Sequence, residues 1–267
     1  ADDNDEFDFE QKIAIGSPTF THFRDSDYEE TAGLDERTPV LGFKISSGTY
    51  IMNYTLDFVQ DAESSITSGE LDDLEGSDFS ILGKTYYISD ADDDGSTVST
   101  GKLTLLDSAV VSSVGEGSST TVNLGDKSYA VSIVFIDNDE VVFDINGERA
   151  PSSGKLNIGD SFRLNDNSYI GVRDISKLEI AGESGSSSFS IGSGKLELTH
   201  GNDIKLNDDT INGIKAYMPK SSNSSAEQKL DKIVIQWKTD EEVFLSPDVD
   251  LTMPGFGAVK FSMGSIQ

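Results

Sequence analysis

Apolar residues in this chain come in short alternating runs closed off by Gly, Ser, Asn or Asp, and no stretch sustains a 3.6-residue period. That pattern excludes a helical bundle and points to antiparallel strands joined by turns. Thr49 to Phe58 shows it best. Tyr50, Met52, Tyr54, Leu56 and Phe58 fall on one face of a strand, so that face is buried while the other meets water. The same character recurs at Ser80 to Ile88, Lys102 to Leu106, Tyr129 to Ile136, Val141 to Ile145, Ser161 to Leu164, Leu178 to Ile180, Lys195 to Leu198, Lys232 to Trp237 and Ala258 to Ser262. The reading gives about fifteen strands. Ser65 to Leu74 and Ala226 to Lys229 carry only the signal of a helical turn.

Within this series Thr120 to Lys177 forms a compact unit of five strands. Asp137-Asn138-Asp139 and Asn146-Gly147 supply turn residues that tolerate positive φ, so sequential strands there form a meander. On either side sit two similar pieces, Gly101-Lys102-Leu103-Thr104-Leu105 and Gly194-Lys195-Leu196-Glu197-Leu198, with a fainter echo at Gly154-Lys155-Leu156. The flanks are expected to pair with each other. The prediction is an all-β fold: a main β-sandwich from residues 1–112 and 180–267, with a small β-barrel-like unit inserted over 113–179. Its linkers are the Gly/Ser-rich stretches Ser112 to Ser119 and Gly182 to Ser188. The alternative is two consecutive domains split near residue 115.

Hydrophobic residues make up 36% of the chain, enough for a core, but 48 Asp and Glu face 20 Lys and Arg, for a net charge of -28. Such self-repulsion strains a compact domain at low salt. At molar salt the Debye length falls to roughly 3 Å and the repulsion is screened, so a halophilic setting is expected. The same charge argues against nucleic acid and anionic membranes, which are bound through clustered Lys and Arg. Without cysteine there is no disulfide framework and no thiolate zinc site. No apolar run approaches the roughly 18 to 20 residues of a membrane span, so no membrane insertion by this chain is expected. Ala1-Asp2-Asp3 would suit a mature N-terminus left by signal-peptide cleavage, which points to secretion.

The sharpest local motif is Asp90-Ala-Asp92-Asp-Asp94-Gly95, with acids at alternate positions before a Gly. That spacing lets an oxygen-rich loop wrap calcium, and makes Asp90, Asp92 and Asp94 candidate ligands for Ca2+. It is not an EF-hand, because Gly101 stands where the twelfth-position acid belongs; an ordinary salt-adapted turn is the competing reading. The clusters Asp2 to Asp8, Asp72-Asp73, Asp208-Asp209 and Asp248 with Asp250 are either solvated turns or places where divalent cations bridge subunits. Enzymatic constellations are missing from the sequence. His22 and His200 stand without a metal-ligand spacing, and Ser190 to Lys195 fails as a phosphate loop because Phe189 and Leu196 occupy its key positions. Asn53-Tyr-Thr55 and Asn223-Ser-Ser225 match the N-glycosylation acceptor pattern, which makes Asn53 and Asn223 candidate glycan sites of a secreted glycoprotein. Trp237 follows Ile233 and Ile235 in phase and is expected in the core; an exposed indole would favour carbohydrate binding.

Several stretches together resemble the surface-layer (S-layer) and surface-layer-like proteins of archaea, in particular those of small-genomed symbiotic lineages. They are Phe79-Ser-Ile-Leu82-Gly83-Lys84-Thr-Tyr-Tyr, Leu103-Thr-Leu, Asp144-Ile-Asn146-Gly147-Glu148, Ile170-Gly171-Val172-Arg173-Asp174-Ile175 and Gly194-Lys195-Leu196-Glu197-Leu198. The ending, Phe244-Leu245-Ser-Pro247 through Pro254-Gly255-Phe256-Gly257, is also similar. The resemblance covers most of the chain from about residue 70 and rests on turn glycines and apolar strand positions, so it speaks for architecture more than for a task. It implies an extracellular structural protein, not an enzyme, that self-assembles on the cell surface, with other copies of itself or a cell-surface partner as its binding partners. Such surface proteins are often longer, with a stalk or membrane anchor that this sequence does not show. The alternatives are a filament subunit that donates Phe7 to Ile15 or Val259 to Ile266 to a neighbour's sheet, and a monomeric adhesin or carbohydrate-binding module.

Overall fold

The computed structural model describes residues 8–16, 43–96, 98–107, 109–176, 184–223, 227–247 and 249–264. Among these the chain is all-β, without a helix. The first part of the chain contributes β1 (Phe9–Ile15), β2 (Phe43–Ile45), β3 (Tyr50–Thr67), β4 (Glu70–Leu71), β5 (Asp78–Ile81), β6 (Lys84–Asp92) and β7 (Lys102–Asp107). The middle contributes β8 (Val110–Gly115), β9 (Ser119–Leu124), β10 (Lys127–Ile136), β11 (Val141–Ile145), β12 (Glu148–Ala150), β13 (Ser161–Arg163), β14 (Tyr169–Ser176) and β15 (Ser186–Gly192). The last part contributes β16 (Lys195–Thr199), β17 (Asp203–Leu206), β18 (Asp209–Tyr217), β19 (Lys220–Asn223), β20 (Glu227–Lys238), β21 (Val243–Leu245), β22 (Leu251–Thr252) and β23 (Lys260–Phe261). Leu178 to Ile180, expected as a strand, lies outside the described residues.

The main body is a closed antiparallel barrel in which each strand pairs with the next around β3, β4, β6, β7, β16, β17, β18 and β20, and β20 returns to β3. The barrel-like unit is therefore built by the flanking segments, where sequence alternation suggested a sandwich. Closure follows from length and irregularity. β3 runs 18 residues, long enough to pair β20 along one edge and to reach β4 at its far end. Shifts of register at Leu230/Lys232 and Ile88/Asp90 bend the sheet as bulges do. Met52, Tyr54 and Leu56 point inward together with Leu103, Leu198 and Trp237. Trp237 is 1% exposed and packs 5.7 Å from the ring of Phe261.

β7 and β16 pair with Leu103 opposite Leu198 and Leu105 opposite Leu196. The chain leaves the barrel at Asp107 and re-enters beside it, where Asp107 N donates to Gly194 O at 2.8 Å and Ser193 N to Asp107 O at 2.9 Å. The described strands between these points form two four-stranded sheets, β12-β11-β10-β9 and β13-β14-β15-β8, around a second core. That core reaches Phe189 and Ile191, so β15 belongs to the insert and not to the main body that the sequence predicts over 180–267. Phe143 and Phe189, with ring centroids 5.5 Å apart, lock one sheet onto the other. Asn146 and Gly147 take φ of 53° and 85°, the positive values that their β11–β12 hairpin requires. The insert is tied back to the barrel by Arg173, which lies 4.6 Å over the ring of Tyr87, and by Tyr169, whose hydroxyl donates to Asp208 Oδ2 at 2.8 Å.

Candidate functional site

β6 alternates Ala91 into the barrel and therefore turns Asp90 and Asp92 outward on one face. Across β4, Glu70 stands directly opposite Asp92, and the ligand oxygens of Glu70, Asp90 and Asp92 lie within 4.8 Å of one another. Across β7, Lys102 answers them: its Nζ is 2.9 Å from Asp90 Oδ2 and 2.6 Å from Asp92 Oδ2. Thr104 Oγ1 donates to Asp90 Oδ2 at 3.0 Å. Burial opposes the charge on Lys102, but its hydrogen bonds to Asp90 and Asp92 outweigh that and raise the ammonium above its ordinary range. A fourth acid, Glu75, accepts from Ala91 N at 3.2 Å. Burial, reinforced by the charges of Glu70 and Asp90, pushes its carboxyl up to about 8. Glu70 is pushed the same way by burial and by Asp92 and Asp90, and its Oε2 is buried without a hydrogen-bond partner. Two acids of the cluster, Asp90 and Asp92, thus share one lysine, and Glu75 stays protonated near neutral pH.

The calcium motif is divided by this arrangement. Asp90 and Asp92 belong to the cluster, whereas Asp94 is exposed and accepts from Ser96 N at 2.8 Å, capping its own turn. The neighbouring Asp93 pairs with Lys220, whose side chain is 0% exposed and also donates to Ser96 O at 3.0 Å. The loop is held by a lysine from β19. A strand bulge and cross-strand pairing turned the expected loop ligands into an ion-pair network, which is why Glu70, Glu75, Lys102 and Lys220 carried no local signal in the sequence.

The other candidates fall as follows. Asp73 Oδ2 accepts from Ser65 N at 2.7 Å, and Asp208 pairs with Lys195 at 2.6 Å. Asp250 pairs with Lys260. Twelve of the lysines are engaged in such ion pairs. The basic groups are therefore largely spent on neighbouring acids, and the remaining surface is acidic. His200 Nδ1 accepts from Met218 N at 2.9 Å, a structural role, while His22 and Asp248 lie outside the described residues. Asn53 faces away from the barrel interior, between Ala14 and Gln236, with its Oδ1 buried and unpartnered. Asn223 ends β19, and its side chain lies outside the described residues.

A second feature is a seam in the barrel wall. β3 and β6 are bridged at one end by β4; at the other, β1 adds to the free edge of β3 and β5 to that of β6. Among the described residues no backbone hydrogen bond joins β1 to β5. Between them opens an apolar cavity of about 370 Å³ that reaches Leu103, Leu230 and Ile233 inside the barrel, with Asp8 and Asp78 also on its wall. All seven residues of β1 are exposed. Its Phe9, Ile13 and Ile15 stand opposite Phe58, Tyr54 and Met52, so they extend the inward face of β3 beyond the barrel, yet they remain 37%, 57% and 64% exposed. The insert carries further exposed apolar side chains at Val134, Phe135 and Ile158. No helix among the described residues is long and apolar enough to cross a membrane. Comparison with protein-family models, with curated proteins and with solved structures finds no match.

Proposed function

We propose that this chain is an extracellular structural protein that self-assembles on the cell surface into an S-layer-like lattice. The observation that carries this reading is β1: a strand whose apolar face prolongs the barrel lining and is nevertheless open to solvent. Exposed apolar surface continuous with a core marks a contact surface. A lattice needs at least two distinct contacts per subunit, and Val134, Phe135 and Ile158 on the insert offer a second. The S-layer resemblance and the acidic surface, which suits a halophilic exterior, agree with it. The test is negative-stain imaging of the purified chain in molar NaCl. Ordered sheets or filaments are expected, and dispersed single particles at every protein concentration contradict it.

A filament subunit is the second reading, favoured by the edge position of β1. An adhesin reading loses its leading aromatic, since Trp237 is in the core. Calcium enters this proposal at Glu70, Asp90 and Asp92 rather than at Asp94, and there it has to displace the Lys102 ammonium that already bridges two of the three acids. Its role is therefore to strengthen contacts rather than to build the fold.

A further inference from the structure

We infer that β1 is an exchangeable strand: the edge of β3 from Met52 to Phe58 accepts β1 of a second copy of this chain. The inference rests on the self-assembly reading above and names its partner and its contact.

The structure displays the complex that exchange would form. β1 pairs with β3 over seven residues in unbroken antiparallel register, from Phe9 opposite Phe58 to Ile15 opposite Met52. The match is specific at three points. Lys12 Nζ meets Asp57 Oδ2 at 2.8 Å, Tyr50 Oη donates to Ala14 O at 3.2 Å, and Gly16 sits so close to β3 that a Cβ there would collide with Tyr50 O. A strand other than β1 would lack these fits, so the occupant of the edge is β1, from its own chain or from another.

Three features favour another chain. No side chain of β1 is buried, so leaving its own barrel gives up the main-chain bonds, the exposed Lys12–Asp57 ion pair and the Tyr50–Ala14 hydrogen bond, and a second copy restores all three. Phe9, Ile13 and Ile15 stay open to water when β1 lies on its own barrel; delivered from a neighbour, they bring the donor's body against that face. Finally, 26 residues separate Gly16 from Phe43, a contour of up to roughly 90 Å, which reaches an adjacent molecule. Each copy both donates and accepts, so the contact is heterologous and propagates unless it closes as a dimer.

The chain has no cysteine, which makes the test direct. Ala14 and Asn53 are cross-strand partners on the outward face. The single variants Ala14→Cys and Asn53→Cys, which leave the Lys12–Asp57 pair in place, are mixed in equal amounts in molar NaCl, joined with a short bis-maleimide and resolved on a denaturing gel, with light scattering in parallel. The double variant controls for reactivity. The expected result is a mixed dimer above the level that either variant gives alone. Large particles without the mixed dimer overturn strand exchange and leave assembly standing. Monomers without it overturn both. A mixed dimer in particles that grow no further keeps the exchange and overturns the lattice. As a second variant, Lys12→Pro acts on the ladder itself. The bonds Val59 N to Asp8 O and Gly16 N to Ile51 O fix the parity so that the Lys12 N–H points at β3, and proline removes it. Circular dichroism is expected to stay that of a folded barrel while the particles disappear; particles that persist unchanged overturn the inference.

Discussion

Replacing Glu75 by Gln removes an acid held protonated near neutral pH by the cluster around β6. In the folded chain its carboxyl titrates at about 8, against an ordinary value of 4.5. Between those values the folded state holds a proton that the unfolded chain has released. This contribution to stability is thus complete below about pH 4.5 and is lost as pH rises through about 8. At 1.36 kcal/mol per unit the ceiling is about 5 kcal/mol. Glu75 is only half-buried, so solvent screening brings the expected effect down to about 2 kcal/mol. For a chain of this size that is a difference of roughly 4–8 °C in Tm. The assay is thermal unfolding by circular dichroism at pH 5 and pH 9, in molar NaCl to screen the general repulsion among carboxylates. Between those two conditions the wild-type Tm should fall by roughly 4–8 °C more than that of Glu75→Gln. Asp57, Asp73, Asp166 and Asp208 are held below the usual carboxylate range, so their contributions vanish only on stronger acidification and do not enter this window. Parallel pH curves for the two proteins would refute the reasoning.

Lys220→Met leaves Asp93 without its partner in a site where the lysine side chain is 0% exposed; urea unfolding should show a loss of about 3–5 kcal/mol, the usual cost of breaking a buried pair. Leu198→Ala opens a cavity at the β7–β16 pair that carries the insert, and the same measurement should give about 2–5 kcal/mol. With a net charge of -28, the Tm of the wild type should climb as NaCl is raised from about 0.1 M to 1 M, while the Debye length shrinks from about 10 Å to about 3 Å; a flat profile would contradict the salt-adapted reading.

The strands were legible because alternation is a local property. Tyr50 to Phe58 wrote its buried face in one stretch of sequence, and the related Gly-Lys-Leu pieces at 101 and 194 anticipated the pairing of β7 with β16. Closure was not legible. Whether β20 returns to β3 depends on the length of β3 and on bulges at Leu230/Lys232 and Ile88/Asp90, which leave no compositional mark. The insert boundary slipped for a related reason: β15 pairs with both β14 and β8, a choice made by tertiary packing. At the acidic cluster the sequence displayed Asp90, Asp92 and Asp94 as one motif. Glu70, Lys102 and Lys220 come to that region only through sheet pairing, and they decide which acids stand together.

The most direct test of self-assembly is the mass of the purified chain by light scattering in molar NaCl, over a range of protein concentrations and with and without millimolar calcium. The account predicts a mass that grows well beyond the 28.8 kDa of one chain, with calcium strengthening the growth without being required for it. A mass that stays at 28.8 kDa under every condition would contradict it.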